Sequence, residues 1–268
     1  GLDRVALSAA DKEARDQFIE DAEELGLKTR IDRVGNIFAR HEGANSSLEP
    51  VIIGSHLDSQ PKGGRYDGQL GIICAFETVR ALDDHNITPD RPIEIVNWTN
   101  EEGTRFNLAP LGSGTFAGVF SEDEALSAVD ENMISVEQAL EEIGYNGDTP
   151  CESYPIHAYL ELHIEQSTTL ERTDNQVGIV SGVVGIDWLR VSITGVADHA
   201  GTTSIHARKD PMVTASTVVR NLKSLPSYLS EDVVVTVGKL HTQPGSINVI
   251  PEEVVFTVDI RCNEDTIR

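Results

Sequence analysis

The chain has 268 residues, and 44 acidic against 21 basic side chains leave it a net charge of −23. A field of that sign repels phosphate backbones and anionic lipid surfaces, which argues against nucleic acid or membrane partners. The 39 % hydrophobic content is too high for a disordered acidic tail, and no apolar run approaches the ~18 residues of a membrane span. Cys74, Cys151 and Cys262 are widely spaced and odd in number, so they offer no disulfide framework and fit a reducing cytoplasm. The basic residues divide into 15 arginines and 6 lysines. Few lysines among many acids point to salt adaptation, because self-repulsion on this scale calls for screening, with an ordinary acidic cytosolic enzyme as the plainer alternative. The N-terminal GLDRVALSAADKEARD has neither a secretory pattern nor an initiator methionine, and it reads as the start of a fragment or processed product.

Residues 8–25 have the spacing of an amphipathic helix, with Ser8 as N-cap, Phe18, Ile19, Ala22 and Leu25 on one face, and Gly26 as the stop. Short apolar runs bounded by turn signals follow at Val51–Ile53, Ile93–Trp98 and Tyr159–Ile164 and are expected to be strands. Between the first two, Gln69–Leu82 is helical and too apolar for a solvated helix. This alternation predicts an α/β layered sheet. Residues 104–157 are polar, helical over Ser135–Ile143, and form an excursion from that sheet. After about residue 182 the pattern changes. Trp188–Thr194 alternates as a half-exposed strand does. Asp210–Leu225 follows as a helix with Pro211 in its first turn, and Val233–Leu240 and Val254–Ile260 are further strands. The order β-α-β-β is that of a split-βαβ domain lacking a last helix and strand, so the second domain is expected to be incomplete.

The residues suited to chemistry fall just beyond the apolar runs: His56 and Asp58 in GSHLDS, Asp67 in GGRYDG, Glu101 and Glu102 in WTNEEG, and His163 in ELHIEQ. Sites of open α/β sheets form at the carboxyl ends of strands. Four segments thus deliver His, Asp, Glu and His to one edge, and imidazole nitrogen with carboxylate oxygen is the donor set of zinc or a similar first-row ion. Taken singly, each has a plainer reading. A histidine after a strand is commonly a satisfied polar group, an adjacent glutamate pair is commonly surface charge, and Asp67 beside Gly68 suits a turn or cap.

GSHLDSQPKGGRYDG, NWTNEEGTRF, ELHIEQ, ADHAGTT and INVIPEEVVFTVDIR occur in that order. Together they resemble the di-metal amidohydrolases that include N-carbamoyl-L-amino acid hydrolase, β-ureidopropionase and allantoate amidohydrolase, within the aminoacylase and carboxypeptidase-like metallopeptidase superfamily. The resemblance runs from about Val5 to Arg261, and SQPKGGRYDG and IGYNGDTP lean towards the carbamoylase branch. It implies a catalytic domain over 1–182, with a central mixed sheet flanked by helices, and a smaller α+β, ferredoxin-like lid and dimerisation domain over 183–268, incomplete at its C-terminus.

The resemblance also implies roles. His56 and His163 would bind one divalent metal, Asp67 would bridge two, and Glu102 would bind the second. Zinc is the first expectation, although manganese, cobalt and nickel accept similar donors. Glu101 would be the general base, and Asp58 would fix the His56 imidazole. Gln166 would hydrogen-bond the substrate, His199 would stabilise the oxyanion from a neighbouring subunit, and Asn248 and Arg261 would take the substrate carboxylate. His199 and Arg261 also have plainer readings, as a loop residue and as a solvent-facing strand residue. Ser167-Thr168 and Ser204-Ile205 stand where the family usually has Gly-Pro and Pro-Met. The family's last histidine ligand comes from beyond Arg268, and none of His41, His85, His157, His206 or His241 matches it. The expected activity is cytoplasmic hydrolysis of an N-carbamoyl amino acid or N-carbamoyl-β-alanine by a homodimer. The alternatives are an allantoate hydrolase, a metallopeptidase or aminoacylase, or an inactive fragment.

Overall fold

The computed structural model describes residues 1–230 and 232–268 and divides into two compact units, Gly1–Thr173 and Asp174–Arg268. Residues 174–184 are neither helix nor strand, so the first unit ends before the 182/183 division read from the sequence pattern.

The first unit opens with α1 (Ala9–Glu24), whose N-cap Ser8 accepts a hydrogen bond from the Asp11 backbone N–H at 3.2 Å. Gly26, at φ +66°, turns the chain back. A hairpin that the apolar pattern missed follows, β1 (Lys28–Ile31) and β2 (Ile37–His41). Its first strand carries Lys28 and Arg30 at an edge and therefore lacks apolar alternation. Next come β3 (Val51–His56), α2 (Gln69–Asp84) and β4 (Ile93–Trp98), then the short helices α3 (Leu111–Phe116), α4 (Glu122–Ser127) and α5 (Val136–Ile143), then β5 (Ala158–Leu160) and α6 (Thr169–Thr173). Capping boxes at Ser121/Glu124 and Ser135/Gln138 start α4 and α5.

The five strands form one mixed sheet in the order β1-β2-β4-β3-β5, with β3 parallel to β4 and β5, and β4 antiparallel to β2. β4, central in the sheet, is buried at every position. Glu94 within it is tolerated because Arg40 Nη1 at 2.7 Å, Arg30 Nη2 at 3.3 Å and the Tyr154 hydroxyl surround its carboxylate. The helices α1 and α2 meet through Phe18 and Phe76, edge to face at 4.9 Å. The expected strand Tyr159–Ile164 is shorter than read. Its ladder with β3 ends at Ile53↔Leu160, because alternation sets which face a residue takes and not where pairing stops.

In the second unit, β6 (Gly185–Thr194) pairs antiparallel along its length with β11 (Glu253–Cys262). The helix α7 (Pro211–Tyr228) is capped by Asp210, which accepts the Met212 N–H at 2.9 Å. The run read as one strand, Val233–Leu240, is two: β8 (Val234–Thr236) and β9 (Leu240–Gln243), both antiparallel to β11. Gly238 between them lets the chain bend. A separate two-stranded ladder joins β7 (Asp198–His199) to β10 (Val249–Ile250). Ala215, Val235, Val254, Phe256 and Val258 form the unit's core.

Candidate metal centre

The last residues of β3 and β4, His56 and Trp98, are paired in register. The loop carrying Asp58 and the turn Thr99–Glu102 therefore leave adjacent parallel strands at one carboxyl edge, where α/β sites form. Asp67 closes the 57–67 loop just before α2. The φ of +81° at Gly68 and a missing Cβ, which would lie 2.5 Å from His56 O and 2.6 Å from its ring, let α2 start against the imidazole. His163 lies three residues beyond β5.

These elements gather His56, Asp67 and His163, with one ligand atom of each within 4.8 Å of the others. His163 Nε2 is 3.2 Å from Asp67 Oδ1, and the two imidazoles stack with centroids 6.0 Å apart. Each ring directs Nδ1 at a backbone carbonyl, His56 to Asp58 O and His163 to Ile164 O, both at 2.9 Å. A nitrogen facing a carbonyl donates to it, and in the tautomer that binds a metal this leaves Nε2 of each ring as the donor atom. Two imidazole nitrogens and a buried carboxylate oxygen are a donor set that fits a first-row divalent ion.

Glu101 Oε2 lies 3.5 Å from His56 Nε2. Glu102 stands outside the triplet; Gln60 Nε2 donates to its Oε2 at 2.9 Å, and its buried Oε1 has no partner among the described residues. Gln166 donates to Asp67 Oδ2 at 2.5 Å. Charges around the site are unbalanced towards the negative. Burial raises the Glu101 carboxyl above its ordinary value, and the charges of Glu102 and Glu161 reinforce this against the pull of His56. Burial, with Asp11 nearby, raises Asp58 to about 7. At His56 burial works against protonation, but the charges of Asp58, Glu101 and Glu102 outweigh it and the pKa rises. The protein holds three carboxyls together that a bound cation would stabilise as anions.

Asp58 meets the His56 imidazole through its backbone carbonyl, at 2.9 Å from Nδ1; its carboxylate is 3.7 Å from the same nitrogen. The two carboxylate oxygens instead accept the backbone N–H groups of Glu101 at 3.1 Å and Glu102 at 3.2 Å, so Asp58 holds the turn that presents both glutamates. Asn36, which sequence reasoning passed over, holds the same turn from the other side: its Oδ1 accepts the Thr99 N–H at 2.9 Å. Gln60 was missed as well. Neither residue has a chemical signature beyond being polar.

Residues 52–261 match the sequence profile of Peptidase family M20/M25/M40. The chain belongs to that family. This M20/M25/M40 member is 38 % identical over 265 residues to an N-carbamoyl-L-amino acid amidohydrolase of Geobacillus stearothermophilus, covering 97 % of this chain and 64 % of the relative. It is 38 % identical over 239 residues to the allantoate amidohydrolase of Bacillus subtilis, covering 88 % and 58 %. Among solved structures it resembles an amidase of the hydantoinase/carbamoylase family from Burkholderia vietnamiensis, with TM-score 0.96 and 41 % identity over 100 % of this chain and 65 % of that one. The chain thus spans less than two thirds of the length of these relatives. No helix of the described residues is long and apolar enough to cross a membrane.

The other expected site residues of this family member lie in the second unit. β7 and β10 bring His199 and Asn248 together: His199 pairs with Val249, and Ala200 N donates to Asn248 O at 3.0 Å. His199 Nδ1 accepts the Gly201 N–H at 3.0 Å. The Arg261 guanidinium, on β11, is engaged in a fork with Asp259, Nε to Oδ1 at 3.0 Å and Nη2 to Oδ2 at 3.1 Å.

Proposed function

We propose that the protein containing this chain hydrolyses a linear ureido C–N bond, converting an N-carbamoyl amino acid and water to the free amino acid, carbon dioxide and ammonia. The observation that carries this reading is the convergence of His56, Asp67 and His163 beside a glutamate, Glu101, that is not one of the ligand triplet. The relatives named as carbamoylases and allantoate amidohydrolases support the choice of bond.

His56 Nε2, His163 Nε2 and one oxygen of Asp67 would hold one divalent ion; the other Asp67 oxygen and the unpartnered Glu102 Oε1 suit a second. Bound there, such ions supply Lewis acidity towards the ureido carbonyl and bring water closer to ionisation. Glu101 takes a proton from the attacking water and returns it to the departing nitrogen. Asp58 keeps the Glu101 and Glu102 backbone aimed at the site. Gln166, held on Asp67 Oδ2, would pass its amide donor to substrate when that oxygen takes a metal. In the second unit, His199 would donate to the developing oxyanion, and Asn248 and Arg261 would bind the substrate carboxylate. That use of Arg261 exchanges its fork with Asp259 for one with the ligand.

The test is hydrolysis by the metal-loaded protein, read as ammonia release from N-carbamoyl-L-amino acids, N-carbamoyl-β-alanine and allantoate and as release of the free amino acid from N-acyl amino acids and dipeptides. Release from a ureido substrate is expected; cleavage confined to the acyl and dipeptide substrates overturns the reading. Glu101→Gln should lower turnover by at least about 100-fold while leaving the bound metal nearly unchanged, and retained turnover would refute the base assignment.

A further inference from the structure

The segment that carries His163 has no strand to hold it. The ladder between β5 and β3 stops at Ile53↔Leu160, and residues 161–166 lie in neither strand nor helix. His163 Nε2 nevertheless sits 3.2 Å from Asp67 Oδ1. Side-chain bonds begin where the ladder ends. Glu161 Oε1 accepts the hydroxyl of Ser55 at 2.6 Å, and Oε2 accepts the hydroxyl of Tyr159 at 2.6 Å. The Tyr159 oxygen in turn accepts Trp98 Nε1–H at 3.0 Å.

Ser55 is fully buried and immediately precedes His56. Trp98 ends β4 immediately before the turn to Glu101 and Glu102. One carboxylate therefore ties the three strands at the edge from which the ligands depart. The segment also lies close against its support: a Cβ on Gly71 would stand 2.6 Å from Leu162 O and 2.7 Å from Ser55 Cβ. Burial, followed by the charge of Glu161, raises the Tyr159 phenol, so it remains a donor at any physiological pH.

We propose that Glu161 is a positioning residue of the metal centre, its carboxylate replacing the missing β5–β3 ladder bonds and setting His163 against His56 and Asp67. This rests on the reading of those three residues as metal ligands. Glu161 touches none of the ligand atoms and acts through the backbone it tethers.

Calorimetric and visible-absorption titration of the chain with Co²⁺ tests both levels. The unvaried chain is measured first, and no Co²⁺ binding by it overturns the ligand reading and this inference together. With binding established, Glu161→Gln should weaken it by about 10–100-fold, the range for groups that orient ligands. Ser55→Ala removes one tethering bond without changing charge, so weakening in that variant separates positioning from loss of a nearby anion. The double variant should weaken binding by less than the product of the two single effects, since both changes act on the Ser55–Glu161 bond. Tyr159→Phe removes the other bond and supplies the reading if Glu161→Gln fails to fold. A crystal structure of metal-free Glu161→Gln should show His163 moved away from Asp67. Co²⁺ affinities of Glu161→Gln, Ser55→Ala and Tyr159→Phe all within about twofold of the unvaried chain would overturn the proposal.

Discussion

Arg15→Met tests how strongly α1 supports the site-bearing edge. The Arg15 and Asp11 side chains are 1 % and 0 % exposed, and Nε meets Asp11 Oδ2 at 2.8 Å. Nη1 donates to Gly35 O at 2.6 Å and Nη2 to Thr99 Oγ1 at 3.2 Å. Removing the guanidinium strands a buried carboxylate whose Oδ1 already has no partner among the described residues and whose Oδ2 keeps only the Leu7 N–H, at 2.8 Å. Breaking a buried pair from one side costs about 3–5 kcal/mol. The Asp11→Leu/Arg15→Met double variant removes the stranded charge. It shares with Arg15→Met the loss of the bonds to Gly35 O and Thr99 Oγ1 and adds only the unpaired Leu7 N–H, a further loss of about 1–3 kcal/mol that is smaller than the cost of the stranded charge. It should therefore be more stable than Arg15→Met alone. Urea unfolding in a Trp188→Phe background measures this, because of the two tryptophans only Trp98, in the first unit and 6 % exposed, then reports. A loss below about 1 kcal/mol for Arg15→Met, or a double variant no more stable than it, would refute the reasoning.

Three further outcomes are expected. Co²⁺ or Zn²⁺ at about 100 times its Kd should stabilise the first unit by about 2.7 kcal/mol; thermal unfolding with and without chelator measures this, and His163→Ala should remove the increment. Gly68→Ala puts a Cβ 2.6 Å from the His56 ring at a φ of +81°, so metal affinity should fall at least about tenfold, with calorimetry as the check. Asp130 provides a pH test. Burial pushes its carboxyl up, but the Ile134 N–H, the Arg105 guanidinium and the Asn132 N–H outweigh burial and hold it below the ordinary 3.8. A carboxyl lowered in the folded state stabilises above its unfolded pKa, and the contribution fades as pH falls through the folded one. Asp130→Asn should therefore cost about 1–2 kcal/mol at pH 7, and the gap should narrow below about pH 4 in denaturation at a series of pH values.

The candidate site residues were legible because their type and place coincide. His56, Asp67, Glu101, Glu102 and His163 each follow an apolar run or a glycine-rich turn. The supporting residues were not legible. Arg15 and Asp11 interrupt the helix face read from Phe18 and Ala22, and a charged pair there looks like solvated surface until its burial is known. Asn36 and Glu161 are single polar residues among many in an acidic chain. Asp58 was identified as part of the site, but the target of its carboxylate was not.

Local sequence determined the helices with strong periodicity, the central strands and the chemical identity of the donors, because helix caps, side-chain alternation and donor type are properties of neighbouring residues. Tertiary structure alone decided where β5 leaves its ladder, that Val233–Leu240 splits in two, and which groups hold the glutamate turn and the His163 segment. Those bonds join Asp58 to Glu101 across 43 positions, Arg15 to Thr99 across 84 and Ser55 to Glu161 across 106. A hydrogen bond between residues so far apart leaves no periodicity in the chain, since it exists only after strand order and register bring the two groups to the same edge.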